Sequence, residues 1–413
     1  MNTLLHRVLR LIHRALEAVL HIERRLEPWF RQPLNNVLRE PAAAATQYFI
    51  NFRRPDEKLA LSEEKMQPNE QASLDAIVDL MMDQMRGRFA PGQFERGGNT
   101  KTHGIVKASV TVLDDLPQAL RAGVFAEPRR YDAWIRYSGP GPDVPADIQD
   151  VGFGSMAIKL MNVTGEKLMA EESGTQDFIA VSTPTFVTPT VAVNAKLQYW
   201  SLLNLPIFHF LNPKDSHLRD FLMQALWNET MYNPLGTRYW SCVPYLLGEG
   251  QAMMYSFIPR TPVTREIPGL PFGAVPFNYL RDNMKHTLDQ QGVEFDLAVQ
   301  LQTDPHRMPI EHAGVRWPEK LSPFIPVARI HIEPQRFDTE ARHNFSKRLK
   351  LNPWHCIAAH RPLGNQSRAR RRMYEELSNF RQKMNQVTHI EPTTEDQDWN
   401  DRSEGKIDSQ DRQ

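Results

Sequence analysis

Asn99-Thr100-Lys101-Thr102-His103-Gly104 leads straight into Val106, Ala108, Val110 and Val112, and the alternation of apolar with polar positions reads as a half-buried strand. The same period recurs at Trp134 to Tyr137, Met156 to Leu160 and Phe178 to Val181. It returns at Gln251 to Phe257, Val293 to Leu301 and Val327 to Ile332. Irregular loops separate these stretches, and helical patterns precede, interrupt and follow them. Together they predict an α+β chain with an antiparallel β core that carries its helices on the outside.

Outward from that core, Leu5, Val8, Leu9, Ile12, Leu16, Val19 and Leu20 recur at helical spacing, with Arg7, Arg10, Arg14 and Glu17 between them. This is an amphipathic helix from Leu4 to about Leu26. Its arginines argue against a secretory leader, which leaves docking on the domain, the favoured use, or lying at a membrane interface. Pro41 followed by Ala42 to Ala45 reads as a junction. A second helix is expected from Pro68 to Met85, with Leu74, Ile77, Val78, Met81 and Met82 inward and Gly87 ending it. Thr393 to Gln413 is acidic and lacks apolar periodicity, the composition of a disordered tail.

Composition narrows the function classes. The 413 residues carry 49 Lys+Arg against 49 Asp+Glu, so no global field draws nucleic acid, and no nucleic-acid partner is expected. Hydrophobic residues at 41% and a mean hydropathy of −0.50 exclude a bundle of spans. Cys242 and Cys356 alone make no disulfide framework, which is compatible with a reducing, cytoplasmic setting. Gly97-Gly98 lacks the Lys-Ser/Thr of a phosphate loop, and there is no Gly-x-Ser-x-Gly elbow. Cys356 with His355 and His360 has neither the ligand count nor the spacing of a zinc site. His306 to His312 reads as a surface loop. Tyr199 to Leu211 reads as core or as the lining of a substrate channel.

Three separated stretches carry chemistry together. The first is Asn99 to Gly104. The second runs from Trp134-Ile135-Arg136-Tyr137-Ser138 through Met156-Ala157-Ile158-Lys159-Leu160 to Ser182-Thr183-Pro184. The third comprises Asn352-Pro353-Trp354-His355, Arg361-Pro362-Leu363-Gly364 and the basic helix Arg368 to Arg381. On that helix Arg370, Tyr374 and Arg381 fall within roughly 40° of one another, so one face presents all three. A phenol with an ordinary pKa near 10 is a poor metal ligand unless a cation favours its anion. Arg370, one turn away, supplies the cation. Taken by itself the helix would read as a solvated basic helix whose tyrosine is a core contact.

In order and spacing these stretches resemble the catalase superfamily of haem proteins, over residues 97 to 381. The resemblance implies a catalase-like antiparallel β-barrel with flanking helices and haem b (iron protoporphyrin IX) between the barrel and the late helix. It implies Tyr374 as the axial ligand to the haem iron, kept ionised by Arg370, with Arg136 and Arg381 as propionate partners. His103 would be the distal acid-base group, oriented by Ser138. The domains implied are an N-terminal helix and junction over residues 1–45, a haem-binding domain over 46–390 and an acidic tail over 391–413.

Two departures bear on activity. Val181-Ser182-Thr183-Pro184 stands where typical catalases have an asparagine pair before Thr-Pro. Thr102 precedes His103 where an apolar β-branched residue is usual, as in the catalase-like allene oxide synthases, whose hydroxyl can hold the imidazole. The resulting expectation is a haem peroxidase of oxidative-stress chemistry. It would act on hydrogen peroxide or on organic and lipid hydroperoxides through a ferryl intermediate, with a small organic reductant. The alternatives are rearrangement of fatty acid hydroperoxides and a non-catalytic haem-binding protein. A homodimer and peripheral membrane contact through the first helix complete the expected partners.

Overall fold

The structure is a computed structural model that describes residues 3–139, 141–150, 152–169, 174–389 and 391–392. Nearly all of the expected acidic tail, residues 393–413, lies outside the described residues. Glu391, at its start, pairs with Lys159 Nζ at 3.0 Å.

The described residues form nine strands: β1 (Thr102–Val112), β2 (Arg130–Ser138), β3 (Ser155–Leu160), β4 (Gln176–Val181), β5 (Tyr239–Trp240), β6 (Tyr245–Leu246), β7 (Ala252–Pro259), β8 (Val293–Leu301) and β9 (Ile325–Ile332). Antiparallel pairing runs β5-β4-β3-β2-β1-β9-β8-β7, and β5 pairs back onto β7, which closes eight strands into a barrel with β6 attached to β7. Period 2 sends Ile135, Tyr137, Met156, Ile158 and Phe178 into the barrel, where they meet Tyr255, Phe257, Phe295 and Leu297. The lumen is thus a filled core, each large side chain contributing about 1.5–3 kcal/mol by burial. The same alternation turns Arg136, Ser155, Ala157, Ile179 and Val181 outward, onto the wall that faces the helices.

The helices are α1 (Thr3–Leu34), α2 (Glu40–Arg53), α3 (Glu70–Arg88), α4 (Val191–Leu202), α5 (Ile207–Leu211), α6 (Leu218–Ala225), α7 (Tyr279–Gln290), α8 (Glu340–Arg348) and α9 (Asn365–Asn385). The expected junction at Pro41 is not a break. One wide turn, Asn35–Arg39, follows Pro33 and joins α1 to α2. Pro41 sits in the first turn of α2, where its missing N–H is tolerated, and the alanines then favour helix. α3 matches its expected span within a few residues, with Gly87 inside its last turn and Leu74, Ile77 and Val78 buried against Met373 and Leu377 of α9. Tyr199 to Leu211 divides between α4 and α5, with Tyr199 itself exposed. The expected surface loop at His306 to His312 is in part buried, because Glu311 is drawn inward to Asn365 and Arg368.

α9 is fastened from several sides. Arg368 pairs with Glu64, Glu70 and Glu311 at 2.8–3.0 Å, and Trp354 Nε1 donates to Ser367 O at 2.7 Å. Gly364, at φ +84°, has no room for a side chain, since a Cβ would strike the Ile310 carbonyl oxygen. The Asn-Pro-Trp-His stretch is a structural clamp. Asn352 N–H and His355 Nδ1 both meet Asp177 Oδ2, at 2.9 and 3.0 Å, while Lys159 takes Asp177 Oδ1 at 3.0 Å.

Several histidines are buried as neutral rings. His360 accepts the Val124 N–H on Nε2 at 3.0 Å, and burial holds its pKa at about 4; burial likewise holds His312 at about 4 and His103 at about 3. The unfolded chain takes these protons near pH 6.5, the native chain two or more units lower, so stability present above pH 6.5 is lost as pH falls toward 4. Burial raises Asp150 to about 6, which offsets one of them in the same window. With His209 also held at about 4 by burial, urea unfolding at stepped pH should show stability falling below pH 6.5 with a net uptake of about three protons, about 1.4 kcal/mol per pH unit for each. A flat profile would contradict the buried neutral rings.

Candidate functional site

A cavity of about 370 Å³ lies between the outward wall of β2, β3 and β4 and the helices α3, α4 and α9. Apolar side chains make most of its surface, among them Ile179, Val181, Phe186, Leu197, Leu349 and Met373. Into it α9 sets Arg370, Tyr374 and Arg381, the three residues its periodicity placed on one face, and β2 adds Arg136.

Arg370 Nη2 stands 3.3 Å from Tyr374 Oη, while its buried Nη1 has no partner. Burial opposes the guanidinium charge, but the phenols of Tyr374, Tyr245 and Tyr255 around it outweigh burial and raise its pKa. A fixed positive charge therefore stands against the Tyr374 oxygen.

At the other end, Arg96, Arg136 and Arg381 converge on the same cavity. Arg96 Nη2 donates to Ser346 O and Leu349 O, both at 2.8 Å. Arg136 donates to Asn99 O at 2.8 Å and to Thr102 Oγ1 at 2.7 Å. Burial, and then the Arg381 charge, press Arg136 down to about 9; burial and both neighbours lower Arg96, and burial lowers Arg381. Among the described residues no carboxylate makes an ion pair with Arg96, Arg136, Arg370 or Arg381. The charge of Glu95 acts on Arg96, Arg136 and Arg381 without pairing to any of them, so the pocket keeps an excess of positive charge, which a ligand bearing carboxylates would relieve.

His103 does not face this cavity. Thr102 turns its hydroxyl to Arg136, and the register break between Thr102 and Gly104 places His103 at a bulge, where its ring lines a different void. The imidazole is buried beside a separate void of about 30 Å³ with Asp147, Asp150 and Tyr279. Its Nδ1 lies 3.7 Å from Asp147 Oδ1, which is held by Lys101 Nζ at 2.6 Å. Burial, then the charges of Lys101, Arg136 and Arg281, depress it to about 3, too weak a base to hold a proton at neutral pH. Ser138 pairs in register with Thr102, but its buried Oγ has no hydrogen-bond partner among the described residues and does not line the cavity of Tyr374. The expected facing pair of His103 and Tyr374 is thus not formed, and Thr102 steadies a guanidinium in place of an imidazole.

Sequence reasoning missed Arg96 and Asn99. The segment from Arg96 to Asn99, ending in a left-handed turn at Asn99 (φ 49°), runs along the cavity wall. Its only local signal is the Gly97-Gly98 pair. Among the described residues lining the cavity there is no histidine, aspartate or glutamate. The polar groups besides the arginines, Lys350 and Tyr374 are amides and hydroxyls, such as Asn99, Thr183, Asn194 and Ser378.

Solved structures with the same architecture are catalases. A fungal catalase superposes with a TM-score of 0.56 at 13% identity, covering 87% of this chain and 75% of its own. Catalase A from Saccharomyces cerevisiae gives 0.55 at 13% identity, over 87% and 80%. The fold is catalase-like. A bacterial catalase matches the same catalase-like barrel with a TM-score of 0.50 at 14% identity, over 82% of this chain and 68% of that one. No protein-family model and no curated protein sequence matches the chain. No helix among the described residues is long and apolar enough to cross a membrane.

Proposed function

We propose that this catalase-like chain binds haem b in the 370 Å³ cavity and uses it on an organic hydroperoxide. The observation that supports the reading is the donor set: one phenol backed by a guanidinium, and three further guanidiniums without carboxylate partners, around an apolar slot. Tyr374 Oη is the ligand donor for the iron, and Arg96, Arg136 and Arg381 take the propionates. The haem, when bound, supplies the redox-active centre that cleaves a peroxide bond.

The chain's own contribution differs from the expected one. Hydrogen peroxide needs a proton moved from one oxygen to the other before the bond parts heterolytically, and the described cavity walls offer no group of suitable basicity. Asn99 can donate or accept a hydrogen bond but cannot carry that proton. Homolytic opening of the O–O bond needs no such relay, and an alkyl hydroperoxide whose hydrocarbon part packs against Phe186, Leu197 and Leu349 can complete it as an isomerisation, all its atoms retained and no external oxidant or reductant consumed. His103 takes no part in this reading.

Titration of purified protein with haemin should give a saturating Soret band at one haem per chain. Arg96→Ala and Arg381→Ala should each weaken binding about tenfold to a hundredfold, the worth of one charged hydrogen bond. With haem bound, a fatty acid hydroperoxide should be consumed and hydrogen peroxide scarcely at all. Consumption of neither would remove the enzymatic reading and leave a haem-binding protein.

A further inference from the structure

Residues 3–53 form one nearly continuous helix, α1, the wide turn and α2, about 75 Å long at 1.5 Å per residue. It is mounted with its polar side toward the barrel. Arg24 and Glu27 are 4% and 1% exposed. Glu27 accepts from Arg24 at 3.1 Å and from the N–H and hydroxyl of Thr230 at 2.6 and 2.5 Å. Farther along, Arg39 pairs with Glu229 at 2.9 Å and Glu40 with Arg316 at 2.8 Å. These directional contacts fix the helix about its own axis, so its apolar side cannot turn inward.

That apolar side is open. Leu4, Val8, Leu11, Val19, Ile22 and Leu26 are 38–69% exposed and lie within roughly 80° of one another around the axis. Trp29, Phe30, Tyr48 and Phe49 carry exposed aromatic surface onward into α2. Beside α1, Phe272 is 90% exposed on a loop that Arg25 grips through Pro271 O and Gly273 O, at 2.8 and 3.1 Å. Arg7, Arg14 and Arg25 line one edge of the stripe, within about 20° of each other. The whole chain is formally neutral, so this positive edge is a local feature.

We propose that this helix docks on an anionic lipid bilayer, lying flat with its apolar stripe in the boundary between headgroups and acyl chains. Arginines at the edge of such a stripe bury their stems and reach anionic headgroups, and Trp and Tyr rings prefer that depth. A second copy fits less well, since two-fold antiparallel pairing sets each arginine edge against itself. The proposal is independent of what fills the cavity.

The test is flotation of the full-length protein with phosphatidylcholine vesicles, with and without phosphatidylserine. Wild type should float with the anionic vesicles at least about tenfold more than with the neutral ones. Val19→Glu/Ile22→Glu should lose flotation while unfolding temperature and haemin uptake stay unchanged, because both side chains point to solvent. Arg7→Gln/Arg14→Gln should keep the helix and lose the preference for phosphatidylserine. Wild type left at the bottom of the gradient, or the Glu pair floating like wild type, overturns the proposal. So does a dimer in gel filtration that the Glu pair makes monomeric, for then the stripe is a self-contact.

Discussion

Asn99→His should raise disproportionation of hydrogen peroxide by the haem-loaded protein about a hundredfold, read as oxygen release, while His103→Ala should leave it within about twofold. General acid-base groups are worth 10²–10⁴ in rate when positioned in the cavity. Asn99 lines the cavity, whereas the His103 ring opens on a separate void with Asp147 and Asp150. Histidine is among the residues that accept the left-handed backbone found at position 99, so the substitution carries little backbone cost. Thermal unfolding checks that His103→Ala is folded, since the ring is buried. A collapse of activity in a folded His103→Ala protein, or no gain in Asn99→His, would overturn this division between the two positions.

Tyr374→Phe should lower haemin affinity about a hundredfold and alter the visible spectrum of whatever haem remains bound. The ring keeps its packing against α3, and only the oxygen is removed, so the change isolates the proposed ligand. It also leaves the buried Arg370 without the phenol 3.3 Å from its Nη2. The ligand-free protein should therefore lose about 1–3 kcal/mol, seen as a lower urea midpoint. Arg370→Gln, with the phenol kept, should weaken binding while leaving the oxygen available, which separates the charge from the ligand. An unchanged spectrum in Tyr374→Phe would place the iron ligand elsewhere.

Much of the barrel was legible because alternation is a local signal. β8 was read at its full length from Val293 to Leu301, and β1 to β4, β7 and β9 within a few residues at either end. β5 was not, since Tyr239 and Trp240 are too few to show a period, yet this pair closes the barrel by joining β4 to β7. α9 was legible for the same reason as the long strands: offsets of 4 and 11 residues define one face whatever surrounds it. The structure duly turns Arg370, Tyr374 and Arg381 toward one cavity.

The sequence by itself determined the strand-rich core, the late basic helix and the shared face of its arginines and tyrosine, because helix and strand periods tie side-chain direction to residue number alone. Only the tertiary structure decided that Asn99, and not His103, lines the cavity of Tyr374. The bulge between Thr102 and Gly104 breaks the alternation just there, so the sides taken by Thr102 and His103 could not be read from residue number. Arg136 of a neighbouring strand takes the Thr102 hydroxyl, and Lys101 and Asp147 enclose the His103 ring beside its separate void. The outward apolar side of α1 was settled in the same way, by Thr230, 203 residues away along the chain, holding Glu27.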